Sequence, residues 1–156
     1  MRTFSDIKGL PVYFLNGSHF GVVEDLVLSS CGTVIGLLID GNGLFQRDKV
    51  IYLSHIYSIG HDSILIDEKR IQNEKVYRGH RLQTGHRSLM NKEILTTSGE
   101  KLGLLVDVYF SEKKGTIEAY ELTDGFFADV TVGTKTVSVE KGKTKIGKDV
   151  IILEQI

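Results

Sequence analysis

A short pattern occurs twice in this chain of 156 residues and limits the folds that it can adopt. NGSHFGVVEDLVLSS (residues 16–30) and SGEKLGLLVDVYFSE (residues 98–112) share a turn, a glycine, an aspartate among aliphatic residues and a serine near the end. The longer segments 7–30 and 89–112 align without a gap, and both copies close on Ile-Gly-x-Asp followed by aliphatic residues. We therefore predict a tandem duplication, with copies of about 60 to 70 residues.

The residues within each copy are typical of β-strands. Val, Ile, Leu, Tyr and Phe fill short runs between glycine-containing turns, and no segment sustains the apolar spacing of an amphipathic helix. Short antiparallel strands at this spacing favour a small barrel, because closure removes exposed edges. We predict strands at 12–14, 20–28, 33–39, 49–53, 62–66, 94–97, 102–110, 116–122, 126–132, 135–139 and 149–154.

The long strand of the second copy indicates how the copies pack. Strict alternation places two apolar residues, Leu105 and Tyr109, on one face of this strand. It places four on the other face: Leu104, Val106, Val108 and Phe110. A barrel of this size has one interior, so we expect the second face to cover the other barrel. Packing two small cores together also offsets the marginal stability of a domain of about 60 residues.

The order of these motifs resembles the PRC-barrel family. The first copy has Ile-Lys-Gly-Leu-Pro-Val (7–12), Gly-Val-Val-Glu-Asp (21–25) and Ile-Gly-His-Asp (59–62). The second copy has Gly-Leu-Leu-Val-Asp (103–107) and Ile-Gly-Lys-Asp (146–149). It departs from the family pattern at its opening, where Asn91 replaces the glycine, so we expect its opening turn to differ.

This resemblance implies an all-β protein made of two tandem small PRC-type β-barrels packed together. We assign barrel 1 to residues 1–66, a basic connector to 67–88 and barrel 2 to 89–156. The family implies no shared active site. Related barrels form the cytoplasmic domain of a photosynthetic reaction-centre subunit and the C-terminal domain of a ribosome-maturation factor, and both contact larger assemblies. Paired copies also resemble small, poorly understood proteins of spore-forming bacteria.

The residues with catalytic chemistry favour structural roles. Asp25 and Asp107 recur at equivalent places in separate copies, whereas a catalytic pair needs carboxylates that converge on one substrate. We interpret both as acceptors of backbone N–H bonds at a strand bend. Asp62 and Asp149 follow a glycine at a turn, where aspartate is common. We therefore expect no enzyme activity and no cofactor.

Metal binding and export also lack support in the sequence. The single cysteine, Cys31, excludes an internal disulfide, and we interpret it as a turn residue. The longest uncharged apolar run, 34–39, is far shorter than the roughly 20 residues that span a bilayer. The opening MRTFSDIKGLPV has no continuous apolar core, so we expect no signal peptide and a cytoplasmic protein. No metal-ligand spacing connects the histidines His19, His55, His61, His80 and His86.

The connector is the first candidate binding segment. Residues 69–92 carry seven basic residues and one acidic residue, a net charge of +6 in a chain whose net charge is −1. Such a segment could contact an anion or RNA. The alternative is that it is solvated or binds the acidic surface of its own barrels. The candidate RNA-binding residues are Arg78, Arg81, Arg87 and Lys92.

Apolar residues beyond two turns form the second candidate. Their side chains could dock a protein partner, or they could close the mouths of the barrels. The candidate partner-binding residues are Leu44, Phe45, Arg47, Phe126 and Phe127.

The sequence therefore favours a non-catalytic adaptor that binds a protein partner or a larger assembly. The competing hypothesis is an RNA- or ribosome-associated protein that uses the connector. Neither the identity of the partner nor the oligomeric state follows from the sequence.

Overall fold

A computed structural model of the chain describes residues 1–41, 49–70, 79–85, 88–127, 130–131 and 133–154; for 126–127 and 130–131 it describes the backbone alone. The first half contains β1 (Arg2–Thr3), α1 (Phe4–Ile7), β2 (Pro11–Phe14), β3 (His19–Leu28), β4 (Val34–Gly41), β5 (Lys49–Tyr52), β6 (Ile56–Ile59) and β7 (Ile64–Ile66). Short 3-10 turns lie at Leu53–His55 and Glu68–Arg70. The second half contains β8 (His80–Arg81), β9 (Glu93–Thr96), β10 (Lys101–Phe110), β11 (Ile117–Thr123), β12 (Phe126–Phe127), β13 (Val130–Thr131), β14 (Lys135–Ser138), β15 (Thr144–Ile146) and β16 (Val150–Leu153).

The two halves form sheets with the same strand order. The first sheet runs β5-β4-β3-β2-β7-β6, and the second runs β14-β11-β10-β9-β16-β15. In each sheet the opening and closing strands of the copy pair in parallel, as β2 with β7 and β9 with β16. The other pairs are antiparallel. The all-β prediction of two packed tandem barrels is confirmed.

The sequence prediction missed four short strands, β1, β6, β8 and β15. β1 and β8 have two residues each, and β6 and β15 have four and three residues, so none is long enough to show a clear alternation of apolar and polar residues. The single strand predicted at 126–132 is wrong, because β12 and β13 pair with each other as a separate small hairpin. The segment 124–134, which contains this hairpin, is longer than segment 42–48 between the equivalent strands of the first copy.

Each half also receives a short arm from the other half. The first arm (residues 2–7, β1 and α1) pairs through Arg2 and Thr3 with β10 of the second sheet. The second arm (residues 80–85, beginning with β8) pairs through His80 and Arg81 with β3 of the first sheet. The arms meet where Lys8 Nζ, just beyond the first arm, donates a hydrogen bond to Gln83 Oε1. The two barrels are therefore joined by reciprocal exchange.

Local capping explains the single turn of helix in the first arm. The Thr3 hydroxyl accepts a hydrogen bond from the Asp6 N–H, and the Asp6 carboxylate accepts one from the Thr3 N–H, which together form a capping box. These hydrogen bonds with Thr3 lower the pKa of the exposed Asp6. Phe4 and Ile7, one turn apart, are both buried, so the helix fixes two core side chains.

A β-bulge in each long strand changes the predicted faces. The register shifts between Leu105 and Asp107 in β10, and at the equivalent place in β3. Because a bulge interrupts strict alternation, Leu105, Val108 and Phe110 are all buried in one core. The prediction that Leu105 lies opposite Val108 and Phe110 is therefore wrong.

One hydrophobic core cluster contains buried residues from both halves. Ile7 of the first copy and Leu89, its counterpart in the second, are members with exposed fractions of 0% and 1%. The expected packing of one barrel against the other is confirmed. The expected difference in the opening turns is wrong, because Asn91 adopts a φ of 67°, close to the 82° of the equivalent Gly9. Asparagine tolerates this left-handed conformation better than most residues.

Candidate binding groove between the two barrels

The recurring aspartates hold the exchanged arms. The Asp107 carboxylate accepts hydrogen bonds from the Phe4 N–H at 3.1 Å and from the Ser5 hydroxyl at 2.5 Å. The Asp25 carboxylate accepts hydrogen bonds from the N–H groups of Gln83 and Thr84 and from the Thr84 hydroxyl at 2.7 Å. Each acid therefore binds the arm that the other half donates.

Both acids also bond within their own strands. Asp25 accepts from the Leu26 N–H and Asp107 from the Val108 N–H, each at 2.8 Å. The exposed fractions of Asp25 and Asp107 are 0% and 5%. This confirms the interpretation of both residues as acceptors of N–H bonds at a strand bend. Within the described ranges, no group of three or more potential metal ligands occurs.

The predicted docking patch lies largely beyond the described residues. Leu44, Phe45 and Arg47 fall in 42–48, which is outside the described ranges. Phe126 and Phe127 form β12, but their side chains are not described. The role of this patch stays a prediction.

The connector is partly built into the fold. Arg78 and Arg87 lie outside the described residues, whereas Arg81 is half-buried in β8 and Lys92 precedes β9. The Lys92 ammonium donates to the Gly147 carbonyl at 3.0 Å, so this lysine bonds within barrel 2. Leu82 of the second arm is fully buried. The described end of the connector is therefore packed structure, and the clustering of the four predicted basic residues stays a prediction because two of them are outside the described ranges.

One of the two equivalent contacts between the barrels is closed. At the closed seam, the loop 30–32 of barrel 1 packs on β15 of barrel 2, and the Ile146 N–H donates to the Ser30 carbonyl at 3.1 Å. A Cβ built on Gly32 would lie 3.2 Å from the Thr144 side chain. The absence of a side chain at Gly32 therefore allows the loop to approach closely.

The equivalent contact on the other side is open. Ser30 aligns with Glu112 and Ile146 aligns with Ile59, so the counterpart of the closed seam lies between β6 and the turn at 112–113. Here the structure has a groove of about 420 Å³, lined by Leu53 and all of β6 on one side and by Glu112 and Lys113 on the other. We call this place the open seam.

Arg2 fixes one end of the open seam. Its Nη1 donates to the carbonyls of Ile59 and Gly60 at 3.3 and 2.7 Å, and its Nε lies 3.5 Å from Glu112 Oε1. The Arg2 side chain thus bridges the end of β6 to Glu112, whereas at the closed seam Ile146 and Ser30 share a direct backbone bond. Tyr57, in the middle of β6, has 63% of its surface exposed beside the groove.

The PRC-barrel domain model matches the chain twice, over residues 1–72 and 85–156. The chain belongs to the PRC-barrel family. The uncharacterized protein YrrD of Bacillus subtilis (strain 168) is 29% identical to it over 155 residues, which cover 98% of this chain and 87% of the relative. The resemblance inferred from the repeated motifs is therefore confirmed.

Sequence reasoning identified both PRC barrels but missed the groove between them. The useful signal was a small difference between the two loops. Ser30-Cys31-Gly32 in the first copy corresponds to Glu112-Lys113-Lys114-Gly115 in the second, which is one residue longer and carries three long charged side chains. Glu112 and Lys113 of this turn line the groove, whereas Gly115 at its end bonds directly to barrel 1. No helix in the described part of the chain has the length and apolarity required to cross a bilayer.

Proposed function

We propose that the protein is a non-catalytic adaptor of the cytoplasm that binds a protein partner or a larger assembly. The observation that carries this proposal is that both recurring acids are used to join the barrels. Asp25 and Asp107 are buried and bind the exchanged arms through hydrogen bonds, so their carboxylates are engaged within the fold. Two sheets held in one core provide a rigid surface, and rigid surfaces lose little entropy on binding.

The competing function is RNA binding through the basic connector. Its support is the net charge of +6 over residues 69–92. The bond from Lys92 Nζ to the Gly147 carbonyl occupies one of the three N–H donors of this ammonium and holds it against barrel 2. We therefore place RNA second.

Crosslinking in native cells followed by affinity purification tests these proposals. Half of each sample is treated with nuclease before washing. We expect the same protein partner in both halves. Loss of all associated proteins after nuclease treatment would reject the adaptor and favour RNA. In that case the variant Arg81→Gln should weaken RNA binding and reduce its salt dependence.

A further inference from the structure

The two seams between the barrels are equivalent in sequence position, but the residues that the structure describes fill only one of them. We propose that the open seam binds a short extended segment of the partner protein, in which an aliphatic residue stands next to an acidic residue. This inference rests on the adaptor function and adds a site and a ligand chemistry to it.

The hydrogen bond at the closed seam indicates which backbone group of a ligand could bond at the open seam. The hairpins beside the two seams close in the same way, through Gly60 N–H to Ser63 O at 2.9 Å and Gly147 N–H to Val150 O at 3.0 Å. Ile59 and Ile146 therefore direct their backbone N–H groups away from the neighbouring strand. The Ile146 N–H reaches the Ser30 carbonyl, and from the equivalent hairpin register we infer that the Ile59 N–H points toward the groove that Ile59 lines. A carbonyl of the bound segment would take the place that Ser30 takes at the closed seam.

The position of β6 favours an extended ligand. β6 is the last strand of its sheet and pairs only with β7 among the described strands. An unpaired edge can add a peptide strand, and backbone hydrogen bonds then supply affinity while side-chain pockets supply specificity. The volume of about 420 Å³ lies within the range of roughly 300–1,000 Å³ that is common for ligand sites.

The walls of the groove select an aliphatic side chain. Leu53, Ile56 and Ile59 are half-buried and pack against the shared core, so they present a fixed apolar surface. Tyr57 adds an exposed ring at the edge, and tyrosine is enriched among residues that dominate binding energies. An aliphatic residue placed here removes apolar surface from water on both partners.

The charges at the rim select an acidic neighbour. Glu112 lies beside the Arg2 guanidinium at 3.5 Å, so its charge is largely balanced. Lys113 is exposed and forms no ion pair with any residue that the structure describes. The remaining positive charge at the groove is therefore complementary to a carboxylate on the ligand.

Selection from a phage-displayed library of random short peptides tests the chemistry, with the full chain as the target. We expect enrichment of peptides with an aliphatic residue next to Asp or Glu. The enriched peptide is then titrated into the full chain while amide signals are followed by NMR. The Ile59 amide signal should shift, and the Ile146 amide signal should stay in place because its N–H is already bonded to Ser30.

Two adjacent lysines provide matched variants. Lys113 lines the groove and Lys114 does not, although both are exposed. We expect Lys113→Glu to weaken binding of the enriched peptide roughly ten-fold, because an attraction becomes a repulsion. Lys114→Glu should change it by less than about three-fold. Tyr57→Ala should also weaken binding, and its circular dichroism should match that of the unmodified chain.

The inference is overturned if no peptide is enriched, if the Ile59 signal does not move, or if both lysine variants act alike. Its failure is distinguishable from failure of the adaptor function. A native partner that is captured equally by the unmodified chain and by Lys113→Glu would keep the adaptor and reject the open seam as its site. Loss of every protein partner after nuclease treatment would reject both.

Discussion

The backbone N–H of Phe4 lies 3.1 Å from the carboxylate of Asp107, a residue 103 positions further along the chain and in the other barrel. The reciprocal contact joins Thr84 to Asp25. The first arm, which precedes barrel 1 in the chain, thus completes barrel 2. The second arm, which precedes barrel 2, completes barrel 1. Because both acids are buried and their contacts are reciprocal, a change in one acid should affect the whole molecule.

Replacing Asp25 with alanine should destabilise the protein. The change leaves the N–H groups of Gln83 and Thr84 without their acceptor near a buried site. A buried donor without a partner costs about 1–3 kcal/mol, so we expect a loss of roughly 3 kcal/mol in the free energy of unfolding. Urea denaturation followed by circular dichroism measures this loss.

Asp62→Ala is the matched control for this change. Asp62 is an exposed aspartate in a turn of the same barrel, and its replacement should cost less than about 0.5 kcal/mol. Equal effects of the two variants would show that Asp25 does not hold the second arm. Asp107→Ala should resemble Asp25→Ala, since Asp107 holds the first arm in the same way.

Local signals made the barrels predictable from the sequence. The gapless alignment of the copies, the β-branched and aromatic runs and the repeated acid each depend on a few neighbouring residues. The structure confirms the main strands and the bonding of Asp25 and Asp107. Their partners could not be predicted, because nothing near either acid in the sequence indicates a segment of the other half.

The arms and the groove depend on tertiary contacts. β1 and β8 are two residues long, too short to show a period, and they are strands only because β10 and β3 lie beside them. The bulges shift side chains between faces without any glycine or proline at the bulge. The open seam lies where the turn at 112–115, which is one residue longer than its counterpart at 30–32, approaches β6, a strand that is distant in the sequence.

Replacing Gly115 with alanine should disturb the contact between the barrels. Gly115 has a φ of 71°, and its carbonyl accepts from the Val34 N–H of the other half at 2.8 Å. A Cβ at this position would overlap the Val34 carbonyl oxygen. We expect a loss of roughly 3 kcal/mol, which combines an unfavourable backbone conformation with overpacking.

Gly142→Ala separates these two contributions. Gly142 has a φ of 80°, but a Cβ built there meets no atom within 4 Å. Its replacement should therefore cost only about 1 kcal/mol, the backbone contribution alone. If both glycine variants lose the same stability, the close approach of Gly115 to Val34 contributes nothing.

Tyr120 should make the stability of the protein decrease in alkaline solution. Burial raises the pKa of Tyr120 from 10.0 to about 12, and its hydrogen bond to Thr144 opposes part of this rise. The folded protein therefore retains the proton of Tyr120 at pH values at which the unfolded chain loses it. The resulting stabilisation is complete below about pH 10 and is lost as the pH rises from about 10 to about 12.

The variant Tyr120→Phe isolates this effect, because phenylalanine has no ionisable group. Urea denaturation of both proteins at about pH 8 and about pH 11 measures the difference. Between these conditions, the unmodified chain should lose about 1 kcal/mol more stability than the variant, since one pKa unit corresponds to about 1.4 kcal/mol. Parallel losses in the two proteins would mean that Tyr120 ionises at the same pH in the folded and unfolded states. The tyrosine would then lie in contact with water, and the core next to the closed seam would be open to solvent.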